Sequence, residues 1–154
     1  MADLLVRLYD LPPIERATES AVSVRRAFAA EKQLLSSWIA AQFSEGWASE
    51  SEAAFARMPV SCFIAVRSNE IVGFACYDAT ARGFFGPAGV SAAHREQGIG
   101  RTLLLRALHD MAAQGYAYAI IGAVDASEFY SKIVKAMEIA DSTPGFYRGL
   151  IRKQ

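Results

Sequence analysis

The sequence predicts an α+β domain built around one mixed sheet. Apolar patterns run in the order strand, two helices, antiparallel strands, then strand–helix–strand–helix–strand, with no internal repeat and no linker. The chain has 154 residues, 53% of them hydrophobic, enough for one core and short for two. A single domain over residues 1–154 is expected.

Leu4–Tyr9 is a short apolar run closed by Asp10-Leu11-Pro12-Pro13, and Val22–Arg25 alternates as a second strand. From Ala29 to Phe43 the apolar positions Leu34, Leu35, Trp38, Ile39 and Phe43 recur at helical spacing, with Gly46 as the expected stop. Ser49 and Ser51 are candidate caps for a shorter helix through Phe55, ended by Pro59. Ser61–Val66 and Glu70–Tyr77 flank Arg67-Ser68-Asn69, which predicts an antiparallel hairpin.

Gly83–Val90 reads as a strand, but central strands avoid proline, so Pro87 predicts a bulge or a departure from the sheet. A helix follows over about 101–114, striped by Leu104, Leu108, Met111 and Ala112 and stopped by Gly115. Tyr116–Val124 is apolar enough for a strand buried on both faces. Asp125-Ala126-Ser127 can cap a helix carrying Phe129, Tyr130, Ile133 and Val134; the turn Ser142–Gly145 and a last strand at Phe146–Ile151 close the pattern.

Charge excludes several classes of function. Sixteen basic residues balance sixteen acidic ones, so no overall field draws in nucleic acid or an anionic membrane. No apolar run reaches the roughly 20 residues needed to cross a bilayer, and Asp3 stands where a signal peptide wants base; a cytoplasmic protein is expected. Cys62 and Cys76 fall in apolar strands and read as buried thiols, and His94 and His109 lack partners at ligand spacing, so no metal is expected.

The strongest signal is Val90-Ser91-Ala92-Ala93-His94-Arg95-Glu96-Gln97-Gly98-Ile99-Gly100-Arg101-Thr102, a strand running through a short loop into an amphipathic helix. A helix N-terminus leaves amides unpaired, and its dipole favours negative charge. Gly98 and Gly100 remove side chains that would hold a phosphate off those amides, while Arg101 and Thr102 offer a cation and a hydroxyl. A dinucleotide fingerprint fails because its third glycine would fall on Leu103, and a P-loop fails for want of Gly-Lys. A tight turn without a ligand is the competing reading of the pattern alone.

Arg95-x-x-Gly98-x-Gly100 resembles the [RQ]-x-x-G-x-[GA] pyrophosphate motif of the GNAT superfamily of acyl-CoA-dependent N-acyltransferases. The likeness takes in the preceding strand, the Leu-rich helix, the strand at 116–124 and the Phe129-Tyr130 pair; it covers about 20–151 and leaves 1–19 as an N-terminal extension. It implies a mostly antiparallel mixed sheet with helices on both faces and a splayed central pair, Phe84–Val90 parting from Tyr116–Val124. It also implies acetyl-CoA as cosubstrate, held by Val90, Arg95, Gln97, Gly98, Ile99, Gly100, Arg101 and Thr102. The acceptor would be a small-molecule amine or a protein amino group, and homodimers are frequent in the superfamily.

Tyr130 matches the family tyrosine beside the cofactor sulfur, which implies a general acid; on spacing alone a core aromatic beside Phe129 fits equally. A phenol of pKa about 10 keeps its proton at neutral pH and can give it to a leaving thiolate. Asp78, Asp125 and Glu50 are candidates for deprotonating the amine, and none is preferred over a cap or a solvated residue. Trp38, Phe43, Trp47 and Phe55 either line an acceptor pocket or are plain core. The chain departs from its relatives in lacking Gly-Phe at the end of the tyrosine helix, in carrying Asp125 where asparagine is common, and in its close, Pro144–Gly149. A non-catalytic acyl-CoA-binding module and a nucleotide-phosphate binder are the alternatives.

Overall fold

A computed structural model describes residues 1–15 and 21–153. Among these described residues seven strands form one sheet: β1 (Leu4–Arg7), β2 (Val22–Arg26), β3 (Cys62–Arg67), β4 (Glu70–Tyr77), β5 (Phe84–Val90), β6 (Tyr118–Ile121) and β7 (Met137–Glu138). Their order is β2-β3-β4-β5-β6-β1-β7, with β5 and β6 parallel and every other neighbouring pair antiparallel. Four α-helices cover the sheet: α1 (Lys32–Gln42), α2 (Glu45–Glu52), α3 (Ile99–Ala113) and α4 (Ser127–Val134).

Period-two alternation divides the buried residues into two cores, one on each face. Cys62, Ile64, Phe74 and Cys76 pack with Leu35 and Ile39 of α1 and Ala48 of α2. Their strand neighbours Phe63, Ala65, Ala75 and Tyr77 pack with Leu103, Leu104, Leu108 and Met111 of α3. One half-buried polar knot locks α3 to its sheet. Asp110 accepts from Tyr77 Oη at 2.5 Å and from Arg26 at 2.9 Å, and Arg26 also donates to the Val60 carbonyl. Burial and the Asp110 carboxylate push the Tyr77 phenol up to about 12.

The predicted hairpin is β3–β4. Arg67 pairs with Glu70 across Ser68 and Asn69, both at positive φ, the mirror-image two-residue turn that matches strand twist. The irregularity predicted from Pro87 is a bulge: Ala75 pairs with Ala88 and Tyr77 with Phe85, so Gly86 and Pro87 together oppose Cys76. α3 begins two residues ahead of expectation, and Gly115, at φ +103°, follows its end as predicted.

Several expectations are corrected. Leu4–Arg7, expected within an N-terminal extension, is an inner strand of the sheet flanked by β6 and β7; residues 16–20 lie outside the described ones. The first helix ends at Gln42, and Gly46 lies inside α2. α2 is capped by Ser44, whose hydroxyl accepts the Trp47 amide at 3.1 Å, not by Ser49 or Ser51. Neither Asp125 nor Ser127 caps α4, which starts after Ala126 without a side-chain cap. The strand at 116–124 is shorter, Tyr118–Ile121. Phe146–Ile151 forms successive turns, with Arg148 donating to Gly145 and Leu150 to Tyr147, and the sheet ends instead at Met137–Glu138.

Candidate functional site

The parallel pair β5–β6 holds for two residues only, Phe84↔Ile120 and Phe85↔Ile121. β6 then stops while β5 continues to Val90, so the sheet opens into a fork. The Ser91 amide donates to the Val72 carbonyl at 2.9 Å, which fixes the alternation of the β4–β5 ladder. The main-chain groups of Ala88 and Val90 therefore point away from β4 into the opening. Arg95 reaches back to the Val90 carbonyl at 3.2 Å, so its guanidinium lies over the strand end.

α3 opens beside this fork. Gly98, at φ +79°, occupies its N-cap position and makes no side-chain cap. The helical bonds begin at Thr102, whose amide and hydroxyl both donate to the Gly98 carbonyl at 3.1 Å. Among the described residues the amides of Ile99, Gly100 and Arg101 therefore have no protein acceptor. Ile99 sends its side chain into the core and offers only its amide, whereas Gln97 is exposed and Arg101 half-buried.

The glycines fit this open turn. A Cβ on Gly98 would meet nothing within 4 Å, and one on Gly100 would stand 3.7 Å from both the Phe129 ring and a Val90 methyl. Packing within the protein thus tolerates a methyl at 100, and the bare backbone there leaves the turn open to close approach. Three unpaired amides at the positive end of a 15-residue helix suit a phosphate or diphosphate.

Tyr130 lies on the first turns of α4, its ring 6.1 Å from Phe85 and 5.2 Å from Phe129. Its hydroxyl has no hydrogen-bond partner among the described residues and is not sealed from solvent. Burial against these rings pushes the phenol up to about 12, which keeps it a donor through the neutral range. Phe129 and Tyr130 thus link the open turn to the floor of the fork.

The three carboxylates proposed from sequence fare differently. Asp78 is fully used: Arg57 donates to it at 2.6 Å, Tyr116 at 2.8 Å and the Gly83 amide at 2.7 Å, which makes it a brace for the β4–β5 connection. Asp125 is exposed and caps nothing. Glu50, on α2, accepts from the Tyr147 hydroxyl at 2.8 and 3.0 Å through its two oxygens and also from Thr80. Thr80 and Tyr147 escaped sequence reasoning because they stand 30 and 97 residues from Glu50, with no local pattern to join them. Asp3 escaped for the same reason: its carboxylate gathers the amides of Ala123 and Phe146.

Trp38, Phe43, Trp47 and Phe74 form a cluster of rings on the α1–α2 face, with centroids 5.1–6.3 Å apart. Phe43 presses on β5 where a Cβ at Gly89 would come within 2.5 Å of its ring. Cys62 and Cys76 are free and buried, as expected. His94 bonds Ser91 Oγ at 2.7 Å and His109 the Pro12 carbonyl at 2.7 Å. Among the described residues no three His, Cys, Asp or Glu side chains group as a metal site requires, and no helix is long and apolar enough to cross a membrane.

Comparison with known proteins agrees with this geometry. The family model for the Acetyltransferase (GNAT) family matches residues 32–133. A GCN5-related N-acetyltransferase from Sphaerobacter thermophilus superposes with TM-score 0.66 at 18% identity, over 90% of this chain and 48% of its own. One from Kribbella flavida gives 0.63 at 20% identity, over 89% and 53%. A GNAT family acetyltransferase from Brucella melitensis, in complex with acetyl-CoA, gives 0.58 at 16% identity, over 72% and 80%. This chain spans about half the length of the first two proteins. No curated protein sequence matches it significantly. With its open sheet, its strand fork and a family match over residues 32–133, the chain belongs to the GNAT acetyltransferase family.

Proposed function

We propose that this protein transfers an acetyl group from acetyl-CoA to a primary amine, borne by a small molecule or by a protein, through direct attack on the thioester. The observation that carries the reading is the trio of amides at Ile99, Gly100 and Arg101, unpaired among the described residues, set beside a fork into which the main-chain groups of Ala88 and Val90 point, the Val90 carbonyl accepting from Arg95. In this reading the amides take the pyrophosphate, with Gly98 and Gly100 allowing close approach and Arg95, Gln97, Arg101 and Thr102 around it. Hydrogen bonds to charged groups contribute about 1.5–3 kcal/mol each, so three supply a large part of the roughly 8 kcal/mol of a micromolar complex.

The backbone of Val90 then meets the pantetheine arm, and an N–H aimed at the acetyl oxygen would stabilise the developing oxyanion by about 3–4 kcal/mol. Tyr130 supplies a proton to the sulfur as the carbon–sulfur bond breaks. Its unbonded hydroxyl favours an enzyme over a module that only binds acyl-CoA.

Acetyl-CoA offered with a panel of primary amines tests the proposal through release of free thiol. One thiol should appear for each amine acetylated. Tight acetyl-CoA binding with no thiol release from any amine would leave only the binding module standing.

A further inference from the structure

Tyr130 and Tyr147 flank the fork from opposite faces of the sheet. Phe85 touches Tyr130 on the α3–α4 side. Phe84, the preceding residue of β5, points to the other face, where its ring lies 4.6 Å from Phe146. A Cβ on Gly122, just past the last β5–β6 pair, would stand 3.3 Å from the Tyr147 ring and 3.4 Å from the Phe84 ring. Tyr147 therefore sits where the two strands part, on the side away from Tyr130.

At that point three oxygen-bearing side chains from distant parts of the chain converge. Tyr147 donates to both oxygens of Glu50, Thr80 donates to one of them, and the two hydroxyls are 3.2 Å apart. Burial and Glu50 push the Tyr147 phenol up to about 12, so it keeps the proton it shares with the carboxylate. Among the described residues no lysine or arginine pairs with Glu50, although it is half-buried. A carboxylate partly removed from water gains most from a cation at its side.

The wall next to it is aromatic. Trp47 precedes Glu50 by three positions on α2 and so shares its helix face. It is 39% exposed and packs on Phe43, which lies against Gly89 of β5. An ammonium beside Glu50 would leave its substituent over these rings.

We propose that Glu50, Thr80 and Tyr147 form the acceptor site, where Glu50 binds the substrate ammonium and takes its proton, and that the acceptor is a monoamine with an apolar or aromatic body resting on Trp47 and Phe43. The inference rests on the acetyl-transfer reading above. In the step, one N–H proton of the ammonium passes to a Glu50 oxygen and onward to water. The freed nitrogen pair forms the N–C bond to the acetyl carbon, and the C–S electrons leave on sulfur with the proton of Tyr130. The second nitrogen proton, lost as the amide forms, restores Tyr130. The sum is one amide, one thiol and one proton.

The test uses 2-phenylethylamine and its neutral counterpart 2-phenylethanol, each titrated calorimetrically into the full chain saturated with CoA. The amine should bind and the alcohol should not. Glu50→Gln should weaken amine binding roughly 10–100-fold while leaving CoA affinity unchanged, since one charged partner is lost. Tyr147→Phe, which keeps the carboxylate, should weaken it by less, and its intact CoA affinity guards against a folding defect in the first variant. Equal binding of amine and alcohol, no amine binding, or full amine affinity in both variants would overturn the inference. Loss of CoA binding by the unmutated protein would instead overturn the acetyl-transfer reading.

Discussion

The Asp3 carboxylate accepts a hydrogen bond from the amide of Phe146 at 3.1 Å, joining the start of the chain to its end. The same oxygen accepts from Ala123 at 2.8 Å, and the Asp3 amide donates to Ser142 Oγ at 2.9 Å. These bonds hold the closing turns over the exit of β6 and bring Tyr147 to Glu50. Removing a hydrogen-bonded carboxylate costs about 1–3 kcal/mol, so Asp3→Ala should lower the urea midpoint accordingly and loosen the closing segment to proteolysis. Wild-type values in both measurements would show that the clamp carries no weight.

Gly98 and Gly100 should respond differently to alanine. Gly98 sits at φ +79°, where a side chain costs about 1–2 kcal/mol, so Gly98→Ala should lower the melting temperature. Gly100→Ala meets only ordinary 3.7 Å contacts and should melt like the parent. Glutamate at either position should abolish CoA binding through bulk and charge, read by calorimetry on protein whose circular dichroism is unchanged. Retained affinity in both glutamate variants would remove the turn from the binding site.

Tyr130→Phe deletes a hydroxyl that bonds nothing among the described residues, so stability should hold. Where chemistry limits turnover, kcat should fall roughly 100-fold or more, the scale of a lost general acid, with CoA affinity nearly constant. An unchanged kcat would assign the proton to another donor.

Three phenols, those of Tyr77, Tyr130 and Tyr147, are pushed up to about 12. Unfolded tyrosine titrates near 10, so the folded state holds its protons more tightly, and the stability contributed is complete below about pH 10. It is lost as pH rises through about 10 to 12. Phenolate absorbance should therefore show a late-titrating class that merges into the early one on unfolding, together with a fall in urea midpoint over the same interval. A single class near 10 with an unchanged midpoint would contradict the upward shift of these phenols.

Local chemistry made much of this fold legible. Ser68-Asn69 marked the β3–β4 turn, Pro87 marked the bulge, and Gly98-Ile99-Gly100 marked the bare start of α3. Long-range partners were not legible. Leu4–Arg7 looked peripheral because its neighbours in the sheet lie more than 100 residues away, Leu4 pairing with Ile121 and Glu138. Phe146–Ile151 carries a strand-like apolar pattern, yet Gly145 and Gly149 at positive φ and the pull of Asp3 fold it into turns. Glu50 could not be ranked above Asp78 or Asp125 until the fold brought Arg57 to Asp78 and left Glu50 among hydroxyls.

The most direct measurement follows the amide resonances of Ile99, Gly100 and Arg101 during titration with CoA. Saturation should move all three downfield and slow their exchange with solvent, as expected when backbone donors take up a diphosphate. CoA binding that leaves those three amides where they stood would contradict the central claim.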